Sequence, residues 1–390
     1  MKWERVRLGD VTDSCLGKML DKAKNKGEYQ PYLANVDVRW GSFNLDDLSE
    51  MRFEDDEQER YGLKYGDLVI CEGGEPGRCA IWKDQIPNMK IQKALHRVRV
   101  HDCLDYRFLY YWFLFSGKTG ALEQYFTGAT IKHMPGEKLK SVLIDMPPIE
   151  VQRHIANILW VYDNLIENNQ KQIKLLEEAA QRLYKEWFID LRFPGHETTP
   201  IVDGVPEGWR EQSLYQIADV VMGQSPKSEY YNQVGEGLPF HQGVGSYGNR
   251  FVSDETYSTS FTRIAEAGSI LFSVRAPVGR LNLTKNKVVI GRGLAAINHR
   301  RGAQSYLFYL LKEKFFRDDI IGNGSIFASI SKEELLNQKF LIPIDSLVEQ
   351  FNGIAGGIDK KIDILSEQIR LLTESRDRLL PKLMSGEIEV

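Results

Sequence analysis

Recognisable catalytic motifs are missing from this sequence. Ser116 to Thr119 resembles the end of a phosphate-binding loop, but the first glycine that such a loop requires would fall at Trp112. Met146 to Ile149 lacks the polar and aromatic residues with which amino-methyltransferases hold a target amine, and no serine stands in a nucleophile elbow. We therefore expect no catalytic residues, no cofactor and no enzymatic activity, and we interpret the chain as a recognition protein.

Cysteines and long apolar runs are also scarce. The four cysteines are Cys15, Cys71, Cys79 and Cys103. They show no Cys-x-x-Cys spacing, which favours free thiols in a reducing cytoplasm. His96, His101 and Cys103 are close in sequence, but no second ligand pair has a spacing suited to zinc, so we predict no metal site. The longest apolar run, Phe108 to Phe115, is far shorter than the roughly 20 residues of a membrane helix. With its charged start, the chain is expected to have neither a signal peptide nor a membrane segment.

Charge is distributed unevenly along the chain. The net charge is -4, yet residues 210–342 carry 16 Lys+Arg against 12 Asp+Glu, whereas residues 149–209 carry 6 against 10. Eight acidic residues lie between Asp46 and Glu59, a run that we interpret as a solvated edge. Because local basic faces rather than net charge determine affinity for phosphate, this distribution permits a nucleic-acid partner without requiring one.

Two heptad patterns organise the chain. Apolar residues recur at intervals of four and three from Ile155 to Trp187 and again from Phe351 to Leu383, over about four heptads each, which is typical of a coiled coil. Each stripe is too narrow to be buried alone, so we predict that the two helices pack together. The predicted seam positions are Ile155, Leu159, Tyr162, Ile166, Asn169, Ile173, Leu176, Ala180, Leu183 and Trp187, with Ile358, Ile362, Leu365, Ile369, Leu372, Arg376, Leu379 and Leu383.

These helices could act as a ruler between two domains. At 1.5 Å per residue, each predicted helix would span about 45 Å. Gly353, Gly356 and Gly357 are expected to weaken the first turns of the second helix, since each costs about 1 kcal/mol relative to alanine.

The segments that precede the two helices also repeat. Each half contains, in the same order, a buried strand with a glycine loop that carries an arginine, an apolar helix and a polar glycine turn. These segments are residues 65–78, 106–112 and 127–133 in the first half, and residues 267–280, 305–311 and 323–329 in the second. We predict an α+β fold in which each half has one compact α/β domain with a small twisted sheet, followed by a long helix.

Several stretches resemble the DNA specificity subunit of type I restriction-modification systems. They are Glu177 to His196, Val205 to Trp209, Met222 to Asn232 and Leu379 to Ile388, and the order of the halves extends the resemblance over the whole chain. The resemblance implies two target recognition domains that each read one half of a bipartite double-stranded DNA target. It implies two long antiparallel coiled-coil helices between them, in a pseudo-twofold internal repeat. It also implies that these helices set the spacer and dock two methyltransferase subunits, with endonuclease subunits joining that core.

The resemblance and the repeat together predict the domain boundaries. Residues 1–148 are expected to form the first target recognition domain, 149–195 the first spacer helix and 196–209 a linker. Residues 210–344 are expected to form the second target recognition domain and 345–390 the second spacer helix.

Candidate DNA contacts come from the polar loops of each domain. Arginine, glutamine and asparagine can read base edges, whereas lysine, serine, tyrosine and backbone amides hold phosphates. In the first domain the candidates are Lys18, Lys22, Lys24, Lys26, Asn35, Arg39, Arg78, Thr130, Lys132 and His133. In the second they are Gln224, Ser225, Lys227, Tyr230, Tyr231, Gln242, Tyr247, Asn249, Arg250, Arg275, Arg280 and Arg292.

Two alternatives belong to other functional classes. The first is a non-catalytic protein-binding scaffold with a dimerising coiled coil, against which the polar, arginine-bearing loops argue. The second is a fusion of a specificity subunit with a methyltransferase, against which the missing cofactor and amine-holding motifs argue.

Overall fold

A computed structural model describes residues 3–21, 25–315 and 329–390. It divides the chain into two units, one of Met1–Asn169 with Glu367–Val390 and one of Gln170–Ser366. The helices, in chain order, are α1 (Glu57–Tyr61), α2 (Tyr106–Thr119), α3 (Gly136–Lys140), α4 (Ile149–Phe188), α5 (Leu214–Ile217), α6 (Gln304–Phe315), α7 (Lys332–Leu336) and α8 (Asp345–Met384). In these described ranges, no helix is long and apolar enough to cross a membrane.

The first unit is built on a four-stranded antiparallel sheet in the order β2-β10-β7-β8. Smaller sheets are formed by β6-β3-β9, β1-β11 and β4-β5. The strands are β1 (Glu4–Arg7), β2 (Thr12–Leu16), β3 (Glu28–Leu33), β4 (Val38–Arg39), β5 (Ser42–Phe43), β6 (Glu50–Phe53), β7 (Leu68–Cys71), β8 (Cys79–Ile81), β9 (Lys90–Ile91), β10 (Leu95–Val100) and β11 (Leu143–Met146).

The second unit repeats this topology. Its four-stranded antiparallel sheet has the order β15-β23-β20-β21, beside a five-stranded sheet β16-β18-β17-β22-β19 and the pairs β14-β24 and β12-β13. The strands are β12 (Ile201–Val202), β13 (Val205–Pro206), β14 (Arg210–Ser213), β15 (Ala218–Met222), β16 (Tyr231–Asn232), β17 (Leu238–His241), β18 (Tyr257–Ser258), β19 (Ile264–Ala265), β20 (Ile270–Ser273), β21 (Leu281–Leu283), β22 (Val288–Ile290), β23 (Leu294–His299) and β24 (Lys339–Ile342). The predicted α+β internal repeat is therefore confirmed.

An apolar helix closes the core of each unit. In the first unit, the Asp105 side chain accepts hydrogen bonds from two backbone amides at the start of α2, and Gly120 ends the helix in a left-handed conformation. Phe108 and Tyr111 of α2 are completely buried, in the same cluster as Ile155 of α4. In the second unit, Tyr306 of α6 is buried in a cluster with Phe351 of α8.

The two long helices run antiparallel. In the first unit, Asn169 of α4 donates a hydrogen bond to Gln368 of α8 at 3.3 Å, while Asp163 accepts one from Arg376 at 2.6 Å. Asp163, the earlier residue of α4, contacts the later residue of α8, so the two helices run in opposite directions. None of the predicted seam positions is exposed, and the expected antiparallel pair of long helices is confirmed.

The length of the helices differs from expectation. The helices begin at Ile149 and Asp345, the first residues of the two predicted spacer segments, and each is 40 residues long, or about 60 Å, against the predicted 45 Å. The glycines do not prevent the first turns of the second helix from forming, because α8 is helical through Gly353, Gly356 and Gly357. Phe351 and Ala355, both completely buried in the core of the second unit, hold this part of the helix in place.

Candidate nucleic-acid interface

A set of connected loops gathers several candidate residues in the second unit. We call it the loop frame; it consists of residues 223–225, 241–242, 274–275 and 291–293. Gln224 N donates to Ile290 O at 2.9 Å, and Gly293 N donates to Gln242 O at 3.1 Å. Val274 N donates to Gly293 O at 2.9 Å. These bonds bring together loops that carry the exposed side chains of Gln224, Gln242, Arg275 and Arg292.

The first unit has an equivalent loop frame, formed by residues 17–18, 33–35, 72–73 and 92–94. Lys18 N donates to Ile91 O at 3.0 Å, as Gln224 N does to Ile290 O. Gln92 N donates to Leu33 O at 3.0 Å, matching the bond from Gly291 N to His241 O at 2.8 Å. Glu72 N donates to Ala94 O at 2.8 Å, matching the bond from Val274 N to Gly293 O. The same backbone arrangement thus presents different side chains in the two units.

A glycine makes this arrangement possible in each unit. A Cβ at Gly223 would lie 2.1 Å from the carbonyl oxygen of Gly291, and a Cβ at Gly17 would lie 2.4 Å from that of Gln92. Any other residue would force the end of the strand away from the neighbouring loop. The pairs Gly17-Lys18 and Gly223-Gln224 are therefore equivalent points of the repeat.

Hydrogen bonds of polar side chains hold the loops of each loop frame in place. In the second unit, the buried His241 contacts Ser246 Oγ through Nδ1 at 2.9 Å and Asp254 Oδ1 through Nε2 at 3.1 Å. In the first unit, Asn35 Nδ2 donates to Gly73 O at 2.9 Å, and Arg78 donates to both oxygens of Asn35 at 3.1 Å. Asn35 and Arg78, two of the candidates, therefore use most of their polar groups within the protein.

Twelve candidates have exposed side chains. They are Lys26, Arg39, Thr130, Lys132, His133, Gln224, Lys227, Tyr230, Gln242, Asn249, Arg275 and Arg292. The half-buried candidates are Asn35, Arg78, Ser225, Tyr231, Tyr247 and Arg280. Lys22 and Lys24, with Asn323 to Ala328 of the second polar turn, lie outside the described residues.

Two half-buried tyrosines differ from simple surface contacts. Tyr231 donates its hydroxyl hydrogen to Pro226 O at 2.9 Å; burial raises its pKa, while the charge of Arg292 opposes that rise. Tyr247 has a hydroxyl with no hydrogen-bond partner within the described residues, and burial raises its pKa.

The structure corrects the assignment of Arg250. Its side chain is only 3% exposed and lies 2.5 Å from Asp359 of α8, and its guanidinium stacks on the Phe308 ring at 3.8 Å from the centroid. Tyr309 Oη donates to the same carboxylate at 3.3 Å. Since the guanidinium is enclosed between the domain and its helix, Arg250 joins α8 to the domain and does not present a base-reading group.

The structure also corrects the assignment of Lys18. Its ammonium group pairs with Glu57 and donates to Arg52 O at 2.8 Å, and the residue is 4% exposed. Glu57 belongs to the acidic run that the sequence suggested was a solvated edge, and its side chain is only 20% exposed. The charge of Lys18 is therefore neutralised inside the first unit.

One exposed cation of the loop frame, Lys93, is not among the residues predicted from the sequence. Lys93 donates its backbone N–H to Lys18 O at 2.8 Å, and its side chain is exposed. It precedes β10 by the same two residues by which Arg292 precedes β23. An alignment of the halves on these strands would have found it.

Residues that suggested other chemistry have structural roles in the first unit. Lys118, from the stretch that resembles a phosphate loop, lies within α2 and pairs with Asp377 of α8 at 2.5 Å. All four cysteines are unpaired, and burial raises the pKa of Cys71 and Cys79. Among the described residues, no group of His, Cys, Asp and Glu is arranged to hold a metal ion.

Comparison with known proteins agrees with this architecture. The family model for the type I restriction modification DNA specificity domain matches residues 1–178 and 206–372. A Methanocaldococcus jannaschii protein provisionally named the specificity subunit of type I restriction enzyme MjaX is 34% identical over 261 residues. That alignment covers 65% of this chain and 61% of the relative, so it spans less than two thirds of the relative's length.

Other similarities extend over more of the chain. The MjaIX specificity subunit from the same organism is 28% identical over 341 residues, covering 83% of this chain and 78% of that protein. The crystal structure of a type I restriction-modification S subunit from M. genitalium has a TM-score of 0.60 at 18% identity, covering 98% of this chain and 96% of that one. The family match covers both halves, and this chain belongs to the family of type I restriction-modification DNA specificity proteins.

Proposed function

We propose that this chain is the DNA specificity subunit of a type I restriction-modification complex, and that each unit reads one half of a bipartite double-stranded target. The observation that carries the proposal is the loop frame, which occurs in both units with the same backbone hydrogen bonds and different exposed side chains. A duplicated reader with different reading groups suits a target whose two halves differ. The chain itself contributes recognition and no catalytic group, and it acts in the cytoplasm.

The exposed groups of each loop frame suit base recognition. In the second unit, Gln224 and Gln242 can each form two hydrogen bonds with adenine, and Arg275 can do so with guanine. In the first unit, His133 lies beside Gly73 of the loop frame, and Lys132 precedes it in an exposed loop. We propose that these side chains enter the major groove, while lysines of the surrounding loops hold phosphates.

The long helices are proposed to set the spacer between the half-sites. Both helices are continuous over 40 residues, and the Asn169–Gln368 hydrogen bond fixes their register at one point of the seam. A rigid pair of this kind would transmit any change of its length to the distance between the two readers.

Exposed apolar residues on the helices suggest how methyltransferase subunits dock. Ile158 and Leu371 of the first unit are 37% and 48% exposed; Ile354 and Leu175 of the second are 48% and 64% exposed. Ile158 and Ile354 occupy the same position of their helices, as do Leu175 and Leu371. We propose that two methyltransferase subunits bind, one to each pair, with endonuclease subunits joining that complex.

Selection of duplexes by the assembled complex tests the proposed function. The chain would be purified with its methyltransferase subunits and incubated with random-sequence duplexes, and the bound fraction would be sequenced. We expect two short specified sequences separated by a spacer of fixed length. Enrichment of no sequence, together with capture of a protein partner through the loops, would instead favour the scaffold alternative.

Lengthening the helices tests their role as a spacer. One heptad with the same apolar spacing would be inserted after Asn169 in α4 and after Glu367 in α8, adding about 10 Å, or roughly three base pairs of duplex. We expect unchanged half-sequences and a longer spacer, with weaker binding because three base pairs also rotate one half-site by roughly 100°. Insertion into α4 alone is the control, since it shifts the seam and should prevent assembly. An unchanged spacer in the double insertion would refute this role.

Charged substitutions test the docking surfaces. Ile158→Asp with Leu371→Asp should remove one methyltransferase subunit from the complex weighed by native mass spectrometry, and Ile354→Asp with Leu175→Asp should remove the other. Asn164→Asp, at another exposed position of α4 in the first unit, is the control for added charge. A complex that retains both subunits in every variant would place the docking surface elsewhere.

A further inference from the structure

The loop before the last strand of each four-stranded sheet carries one cation in both units. Lys93 and Arg292 are exposed, and each stands two residues before its strand, β10 or β23. Within the described residues, neither side chain donates a hydrogen bond or forms an ion pair.

The backbone holds both cations in the same place. Lys93 N donates to Lys18 O at 2.8 Å, and Arg292 N donates to Ser225 Oγ at 3.3 Å, so each is attached to the segment that follows Gly17 or Gly223. Leu95 N donates to Gln92 O at 3.2 Å, and Leu294 N donates to Gly291 O at 3.0 Å, so the turns are equivalent as well. The loops therefore present a positive charge from a rigid and duplicated support.

The surrounding positions differ in chemistry between the units. The parallel pairs β3-β9 and β17-β22 make Leu33 equivalent to His241, so that Gln242 stands where the first unit has Ala34. The bridges Gly73–His133 and Arg275–Ser329 likewise place an arginine where the first unit has glycine, and a serine where it has histidine. Of the exposed positions compared, the one before β10 and β23 keeps its charge.

A group shared by two readers should recognise what two different half-sites have in common. Bases differ between half-sites, whereas the phosphate backbone is the same in both. The shared property is charge and not shape, because lysine is a point charge and arginine is a planar fork. A phosphate needs only the charge, whereas guanine recognition through two bonds is best served by the fork.

We propose that Lys93 and Arg292 clamp DNA phosphates at equivalent places in the two half-sites, leaving discrimination of bases to the loop-frame side chains that differ between the units. The proposal rests on the proposed function of the chain. It assigns these two residues to affinity and orientation, and Gln224, Gln242, Arg275 and His133 to sequence.

The salt dependence of binding separates the two roles. The complex of the full chain with its methyltransferase subunits would be titrated with its selected duplex from low to moderate salt, as wild type, Lys93→Ala, Arg292→Ala and Arg292→Lys. Each alanine variant should lower the slope of log K against log salt by about 0.9. It should weaken binding by the same factor to the selected duplex and to duplexes with either half-site altered. Arg292→Lys should restore the wild-type slope and preference.

Matched controls remove an exposed cation from outside the loop frame. Arg7 lies on β1 and Lys339 on β24, both exposed, and Arg7→Ala and Lys339→Ala should leave the slope unchanged. Thermal unfolding of every variant should match wild type, since the replaced side chains are exposed.

Three other outcomes would overturn the proposal. An unchanged slope in Lys93→Ala and Arg292→Ala, with a wild-type complex that selects a bipartite target, would refute the clamp and leave the proposed function intact. If the Arg292→Lys variant no longer prefers the selected base at one position of the duplex, then Arg292 reads a guanine there and is not a phosphate clamp. A wild-type complex that selects no sequence would overturn both proposals together.

Discussion

Replacing Arg250 by alanine should destabilise the second unit without changing which bases are read. The guanidinium lies 2.5 Å from Asp359 and stacks on Phe308, and the side chains of Arg250 and Asp359 are 3% and 19% exposed. In Arg250→Ala, the Asp359 carboxylate would lose its cation and keep only the hydroxyl of Tyr309. Removing one partner of a buried pair costs about 3 to 5 kcal/mol, because a charge is left uncompensated. The remaining hydroxyl and the partial exposure of Asp359 favour the lower end, about 3 kcal/mol.

A double-mutant cycle measures the coupling between Arg250 and Asp359. Asp359→Leu should cost a similar amount, because it leaves the guanidinium buried with only Glu177 nearby, at 3.9 Å. Arg250→Leu with Asp359→Leu should be close to wild type, since replacing both partners of a buried pair by apolar groups is often neutral. Denaturant unfolding would measure the free energies of unfolding, and methylation mapping with partner subunits would measure the bases read.

The two measurements together can refute the account of Arg250. Losses near 3 kcal/mol in the single variants, recovery in the double variant and an unchanged target sequence would support a structural role. If the Arg250→Ala variant unfolds like wild type but no longer discriminates at one base pair of the target, then Arg250 reads DNA.

Burial lowers the pKa of His96 and His299, so the unfolded chain binds protons first as the pH falls below about 6.5, and the free energy of unfolding should decline there. In His96→Gln with His299→Gln, the free energy of unfolding should depend less steeply on pH between 5 and 8. The same dependence as in wild type would contradict this expectation. Gly353→Ala and Gly357→Ala should each stabilise the chain by about 1 kcal/mol, because a Cβ at either position meets no atom within 4 Å; a lower unfolding midpoint would show that the glycines are needed. Asn169→Leu should stabilise the helix pair by about 1 kcal/mol while loosening its register, and a loss of stability would mean that the Asn169–Gln368 bond outweighs apolar packing.

Much of the architecture could be predicted because it depends on local sequence patterns. The heptad spacing indicated both long helices, and the repeated strand, glycine loop and apolar helix indicated two domains of one fold. The heptad pattern by itself begins six residues after each helix does, at Ile155 and Phe351, and the predicted boundaries at Ile149 and Asp345 came from the repeat and the resemblance. The glycines of α8 did not indicate how its first turns are held, since tertiary packing around Phe351 outweighs helix propensity.

The functional residues were harder to predict because exposure depends on distant partners. Arg250 and Lys18 are arginine and lysine in polar loops, and only the fold shows that Asp359 and Glu57 neutralise them. Asp359 also has a counterpart at the same position of α4, Asp163, which pairs with Arg376 of α8. The two carboxylates are equivalent but their arginines are not, so a comparison of the halves could not have identified Arg250 as structural. Lys93 is the opposite case, because the repeat alone would have revealed it.

Methylation mapping of variants in a single unit tests the central claim most directly. Cells that carry the methyltransferase subunits with wild-type chain, Gln224→Ala or Gln242→Ala would have their methylated sequences determined across the genome. Both substitutions lie in the loop frame of the second unit and replace exposed side chains. If each unit reads one half of the target, each variant should relax or abolish recognition at positions of one half-sequence only, with the other half and the spacer unchanged. A variant that changes the bases recognised in both halves would contradict the account.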